Sequence, residues 1–315
     1  MTVTSALVPT NDTSIHATAT EEFARILHAE EISLLVSTDR IGRVALIRAS
    51  SPARLELTLR PFLKPFGIAI GDDRIVIGTQ SEVCEFRKDD DRFLPRATWD
   101  TGAIHVHEIA FAGDELWIVN TLYSSLCTFD EQHNLVPRWR PSFIETMAPD
   151  DSCHLNGLAV SDGRVKLVTA FCDSADAEGW RQHLGEGILI DVDSGEIALR
   201  NLAVPHSPRL HDGTVFVLES WKGTMAVADL ARGSVEEVIG LPGFTRGLAF
   251  VGPYALVGVS QVQPGRTDRK IPLFDRFDDT ESGVWAIDLR TGRAAGFLRF
   301  ESGIGEVMDV QVLPG

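Results

Sequence analysis

Five copies of one two-stranded pattern recur along the chain, and they constrain its fold more tightly than any other feature. Each copy is an alternation of apolar and other residues, a tight turn rich in Gly and Asp, and a second alternation. The copies start at Phe66, His107, Asn156, His206 and Arg246, with spacings of 41, 49, 50 and 40 residues. Two period-2 runs joined by such a turn predict a β-hairpin. One or two further short strands follow each hairpin, as at 82–86, 125–129, 187–191 and 283–288. Four short strands in every 40 to 50 residues predict the blades of a β-propeller.

The sixth blade is split between the chain ends. Residues 308–313 offer one strand, and 32–36, 43–47 and 55–59 offer three. Joining them in one sheet removes the open edges that a linear array leaves. The expectation is an all-β fold, a six-bladed β-propeller over 31–315, with one blade closed by N- and C-terminal strands. Residues 1–30 are read as a flexible N-terminus and a short capping helix, because Phe23, Ile26 and Leu27 share helical spacing. Two excursions, 172–186 and 262–282, are long enough for binding loops or plain surface loops. The second carries Arg266, Arg269 and Lys270 among Asp275, Asp278 and Asp279.

Composition narrows the partners. A formal charge of −16 argues against nucleic acid and against an anionic membrane surface, both of which need clustered Lys and Arg. No apolar run reaches the roughly 18 residues of a membrane helix, and the polar start lacks the pattern of a signal peptide. Cys84, Cys127, Cys153 and Cys172 show no C-x-x-C spacing and read as free thiols. A cytoplasmic protein acting on a small molecule is the expectation, with its oligomeric state open.

The innermost strand of a propeller blade starts near one mouth of the channel, so the copy starts should be neighbours. Two residues before the first aligned position stand Lys64, His105, His154, Val204, Phe244 and Glu306; at that position stand Phe66, His107, Asn156, His206, Arg246 and Met308. Nine histidines spread over 315 residues would put fewer than one at these twelve positions, yet four fall there. Imidazoles converging with a carboxylate suit a divalent transition metal such as Fe, Zn or Mn. His105, His154, His206 and Glu306 are the candidate ligands. His107, Arg246, Asn156 and Glu108 are the candidate catalytic residues. His105 and His107, two apart on one strand, would share a face; Glu108 would point the other way, orienting a ligand from behind or holding a neighbouring strand. Arg246 would anchor an oxyanion, or pair internally with Glu306. Trp117, Trp139, Trp221 and Trp285 read as blade packing. Cys153 beside His154 raises a Cys–His nucleophile, although adjacent strand residues face opposite ways.

The segments Ile104-His-Val-His-Glu108, Cys153-His-Leu-Asn-Gly-Leu-Ala159, Pro205-His-Ser-Pro-Arg209 and Gly243-Phe-Thr-Arg-Gly-Leu-Ala-Phe250 resemble those of a bacterial family of conserved hypothetical propellers without an assigned activity. The resemblance runs from about Ser33 to Gly315 and supplies no reaction. More distantly, the blade pattern is similar to the six-bladed gluconolactonase-like and strictosidine-synthase-like superfamily. Its gluconolactonase-type members hold a divalent cation with Glu, Asn and Asp ligands. Here His stands where those have acids, and only Asn156 is in a comparable place, which implies a softer metal than calcium.

Three readings stay open. The first is a metal-dependent enzyme of lyase, isomerase, cyclase or hydrolase type in small-molecule metabolism, with an iron- or copper-dependent oxygenase as its variant. The second is metal-free acid–base catalysis by the histidines. The third is a non-enzymatic interaction propeller.

Overall fold

The computed structural model describes residues 5–38, 41–90, 92–262 and 270–315. Arg266 and Arg269 of the second excursion lie outside these residues. Six antiparallel sheets account for the strands, and the fold is a six-bladed β-propeller. In chain order the first four blades start at Pro65–Ile70, Val106–Ala112, Gly157–Ser161 and Pro205–His211, each followed by three strands in simple up-and-down order. By contact the chain divides into two units. One comprises Met1–Pro65, Ser220–Met225 and Glu237–Gly315; the other comprises Phe66–Glu219 and Ala226–Glu236.

In the first unit the split blade forms as the sequence predicts. Asp309–Pro314 pairs with Ile32–Thr38, with Val310 opposite Val36, and Arg43–Ser51 and Arg54–Pro61 complete the sheet. The helix spans Glu21–Ala29. Thr20 caps it by accepting from the Phe23 N–H at 3.2 Å, and Glu21 and Glu22 occupy the first turn, where the helix dipole favours negative charge. Phe23, Ala24, Ile26 and Leu27 are buried against Leu298 and Phe300.

The lead before this helix, read as flexible, is instead built into sheets. Ser5–Val8 and His16–Thr20 extend the fifth blade through pairing with Arg293–Ser302. The reason lies in the alternation of small and polar residues from His16 to Thr20, which buries Ala17 and Ala19 beside Ile15 and Val8. Between the two strands the chain also reaches the split blade. Pro9 O accepts from Leu57 N at 3.0 Å, and the Asn11 side chain bonds both the N–H and the C=O of Leu59.

The second unit holds the blade starts that carry the histidines. Its hairpins close on the expected turns: Asp162 and Gly163 both have positive φ (51° and 69°), as a two-residue hairpin loop requires. Apolar residues alternate inward along each strand. Leu158, Val168, Ile188 and Ile190 form one cluster with Trp117, Trp139 and Trp180 packed on its edge. Adjacent inner strands approach closely at Gly157, where an added Cβ would lie 2.6 Å from Pro208 Cδ and 3.0 Å from Glu108 Oε2. Glycine is required there for that spacing.

Candidate functional site

The chain enters four of the inner strands, those after Lys64, His105, His154 and Val204, through a shared kink. His105, His154 and Val204 adopt left-handed backbones with φ of 55°, 52° and 57° at the same aligned position. That conformation is costly for non-glycine residues, and most of all for a β-branched one such as Val204. The kink changes one sequence expectation. His105 precedes the strand Val106–Ala112, so strand alternation does not put it on one face with His107; their ring centres lie 6.5 Å apart.

The structure instead brings His107 to His154, edge to face at 4.8 Å. Phe66 packs on His107 at 5.1 Å. Phe171 packs on His154 at 4.4 Å and on His206 at 5.3 Å, so an aromatic ring bridges these two histidines. Trp180 covers another side of His154 at 4.6 Å.

Hydrogen bonding fixes which nitrogen carries the proton. His154 Nδ1 lies 2.9 Å from Asp151 Oδ2, and an ionised carboxylate only accepts. The ring therefore holds its proton at Nδ1 and, when neutral, its lone pair at Nε2. His107 Nδ1 faces the His105 carbonyl at 3.2 Å and Thr121 Oγ1 at 2.8 Å. Thr121 donates its own hydrogen to Leu155 O at 2.7 Å, so it accepts from His107. His206 Nδ1 faces Val204 O at 3.3 Å. All three rings thus place their lone pair at Nε2, the arrangement that both a general base and a metal ligand need.

The first long excursion supplies the support for Asp151. Gly179–Arg181 forms a single 3-10 turn, and Trp180 Nε1 donates to Asp151 Oδ2 at 3.0 Å. Backbone bonds from Glu178 N to Asp150 O and from Trp180 N to Ser152 O tie the loop down. Asp151, Thr121, Phe171 and Trp180 were not singled out in the sequence. The Asp-x-x-His spacing of Asp151 and His154, and a lone Trp in a long loop, were the available signals.

The remaining candidates separate. Glu108 is buried in an ion pair with Arg209 and accepts from Leu158 N at 3.2 Å. Arg209 also donates to Leu158 O at 3.1 Å and Pro208 O at 2.8 Å. Glu108 therefore ties three inner strands together. Asn156 is 2% exposed; its Oδ1 accepts from Thr169 Oγ1 at 2.7 Å. Cys153 is fully buried, and burial pushes its thiol up to about 12, so it is no nucleophile near neutral pH. Arg246 and Glu306 belong to the other unit, where Arg246 Nη1 lies 3.0 Å from Met308 Sδ and its guanidinium 5.5 Å from the Phe244 ring.

A metal can be tested against these distances. An imidazole bound through nitrogen at about 2.1 Å keeps its ring centre about 3.2 Å from the ion, so two rings sharing an ion lie within about 6.4 Å. His107 and His154 fall well within this limit. Among the described residues, no group of three or more His, Cys, Asp or Glu side chains is drawn together around one point. Of the expected ligands, His105, His154 and His206 belong to the second unit and Glu306 to the first.

Residues 21–315 match the family described as Domain of unknown function (DUF4915). The chain belongs to this family. That accords with the resemblance to conserved propellers without an assigned activity. No curated protein matches the DUF4915 chain. Among solved structures, a protein of unknown function from Bacteroides caccae is 12% identical with a TM-score of 0.60, over 90% of this chain and all of that one. A chain of a nidogen/laminin complex is 10% identical with a TM-score of 0.57, over 89% of this chain and 98% of that one. A streptogramin B lyase is 12% identical with a TM-score of 0.45, over 84% and 74%. The first two support the propeller fold and nothing beyond it.

Proposed function

We propose that this chain is an enzyme that moves protons on a small metabolite, with His154 as the general base. The Asp151–His154 pair carries the reading. A carboxylate on Nδ1 fixes the tautomer and faces the imidazolium formed when Nε2 takes a proton. Trp180 holds that carboxylate in place. His107, in edge contact with His154 and oriented by Thr121, is the second proton-transfer group. The reaction class is isomerase, lyase, cyclase or hydrolase, each of which begins with such a transfer.

A second reading is favoured by the 4.8 Å separation of His107 and His154 and by their anchored Nδ1 atoms. In it these two rings hold a divalent Zn, Mn or Fe ion that polarises the substrate, with Asp151 and Thr121 behind them.

The test is turnover of a metabolite extract by the full chain, followed by mass spectrometry. A compound consumed by the wild type and spared by His154→Ala supports the base. Turnover that survives His154→Ala, or no turnover, contradicts it. Loss of turnover in chelator, with recovery on adding one of the three metals, favours the second reading over the first.

A further inference from the structure

An unspent hydrogen-bond donor beside His154 points to the class of molecule the site takes. Asn156 is buried, and both its backbone N–H and its Oδ1 are committed to Thr169, at 3.0 and 2.7 Å. Among the described residues its Nδ2 has no partner. A buried N–H left unpaired is costly, so such a group is expected to meet an acceptor during function.

Asn156 stands two residues after His154, along the same paired segment. Phe171 N donates to Cys153 O at 2.9 Å, continuing the antiparallel ladder in which Asn156 N meets Thr169 O. His154 packs on Phe171, and Asn156 bonds Thr169, two residues earlier on the same segment. Two residues of extended chain span about 7 Å. Several cations of this unit are already paired with acids, which favours a neutral acceptor. Arg209 is paired with Glu108, Arg181 with Glu178, and Arg164 and Lys166 with Asp193. Phe171 and Trp180 add flat walls around His154.

Resting on the reading of His154 as a base, we propose that the site takes a small neutral carbonyl compound with a removable proton on the carbon beside the C=O. Asn156 Nδ2 donates to the carbonyl oxygen, and His154 Nε2 takes the proton. The C–H bond breaks, its electron pair forms the C=C bond of an enolate, and the carbonyl π pair moves onto oxygen. The proton rests on Nε2, with Asp151 facing the imidazolium. Return of a proton to the same carbon restores the carbonyl, as exchange with solvent or inversion at that carbon, without an oxidant, reductant or co-reactant. The donor aims at the atom where charge develops, which is where a fixed dipole accelerates the step.

The experiment is deuterium uptake from D2O into hydroxyacetone, dihydroxyacetone and cyclopentanone with the full chain, read by proton NMR. Uptake above buffer is expected with at least one probe. It should fall to background in His154→Ala and about tenfold in Asn156→Asp, which keeps an acceptor for Thr169 while removing the donor. Should that variant fail to fold, the Asn156 side-chain amide signal of the wild type serves instead, and it should move downfield as the active probe is added. Uptake that needs His154 but is unchanged in Asn156→Asp, or an amide signal that stays put, overturns the carbonyl anchor and leaves the base standing. No uptake with any probe overturns the inference, while the extract turnover still decides the role of His154 separately.

Discussion

The indole Nε1 of Trp180 donates to Asp151 Oδ2 at 3.0 Å, on the same carboxylate oxygen that faces His154 Nδ1 at 2.9 Å. The loop that carries Trp180 is thereby part of the site. Trp180→Phe keeps most of the ring contact and removes one hydrogen bond, so unfolding free energy should fall by about 1 kcal/mol. Trp180→Ala also uncovers His154. Its carbethoxylation, followed by peptide mass spectrometry, should then quicken several-fold over the wild type.

Glu108 and Arg209 form a buried pair whose removal is asymmetric. Glu108→Gln leaves a guanidinium without its counter-charge and should cost about 3–5 kcal/mol in denaturant unfolding. The double variant Glu108→Gln, Arg209→Met should recover a good part of that loss. A double variant no more stable than Glu108→Gln alone would contradict the pairing role.

The N-terminal lead bonds two blades within its own unit. Asn11→Ala removes both bonds to Leu59 and should lower stability by about 1–2 kcal/mol. Hydrogen exchange at the Leu57 and Leu59 amides should rise in step.

These outcomes also mark what was legible in the sequence. The blade repeat gave the six sheets and the split closure, because period-2 hairpins are a local signal. The strands of the lead are hard to read because Thr and Ala in 16–20 look like a polar tail until Phe300 is opposite Ala17. The importance of the blade starts was visible, but not which rings would meet. The left-handed kinks at His105 and His154 override strand alternation, and no residue type announces them. Glu108 could be placed only with Arg209 in view, from a strand about a hundred residues away.

Alkaline pH should loosen the second unit. Burial raises the Cys153 thiol to about 12 and the Cys172 thiol to about 11, from an ordinary value near 9. A folded pKa above the unfolded one gives stability that is complete below about 9 and is lost as pH rises through 11 to 12. Melting temperature should therefore drop over this window, and Cys153→Ala should flatten the drop.

The most direct test of the central claim is the nitrogen-15 NMR signature of the His154 ring near neutral pH, assigned by comparison with His154→Ala. The account predicts a ring protonated at Nδ1, with a downfield Nδ1–H signal that is lost in Asp151→Asn, and a non-protonated Nε2. A His154 ring carrying its neutral-form proton on Nε2 in the wild type would contradict it.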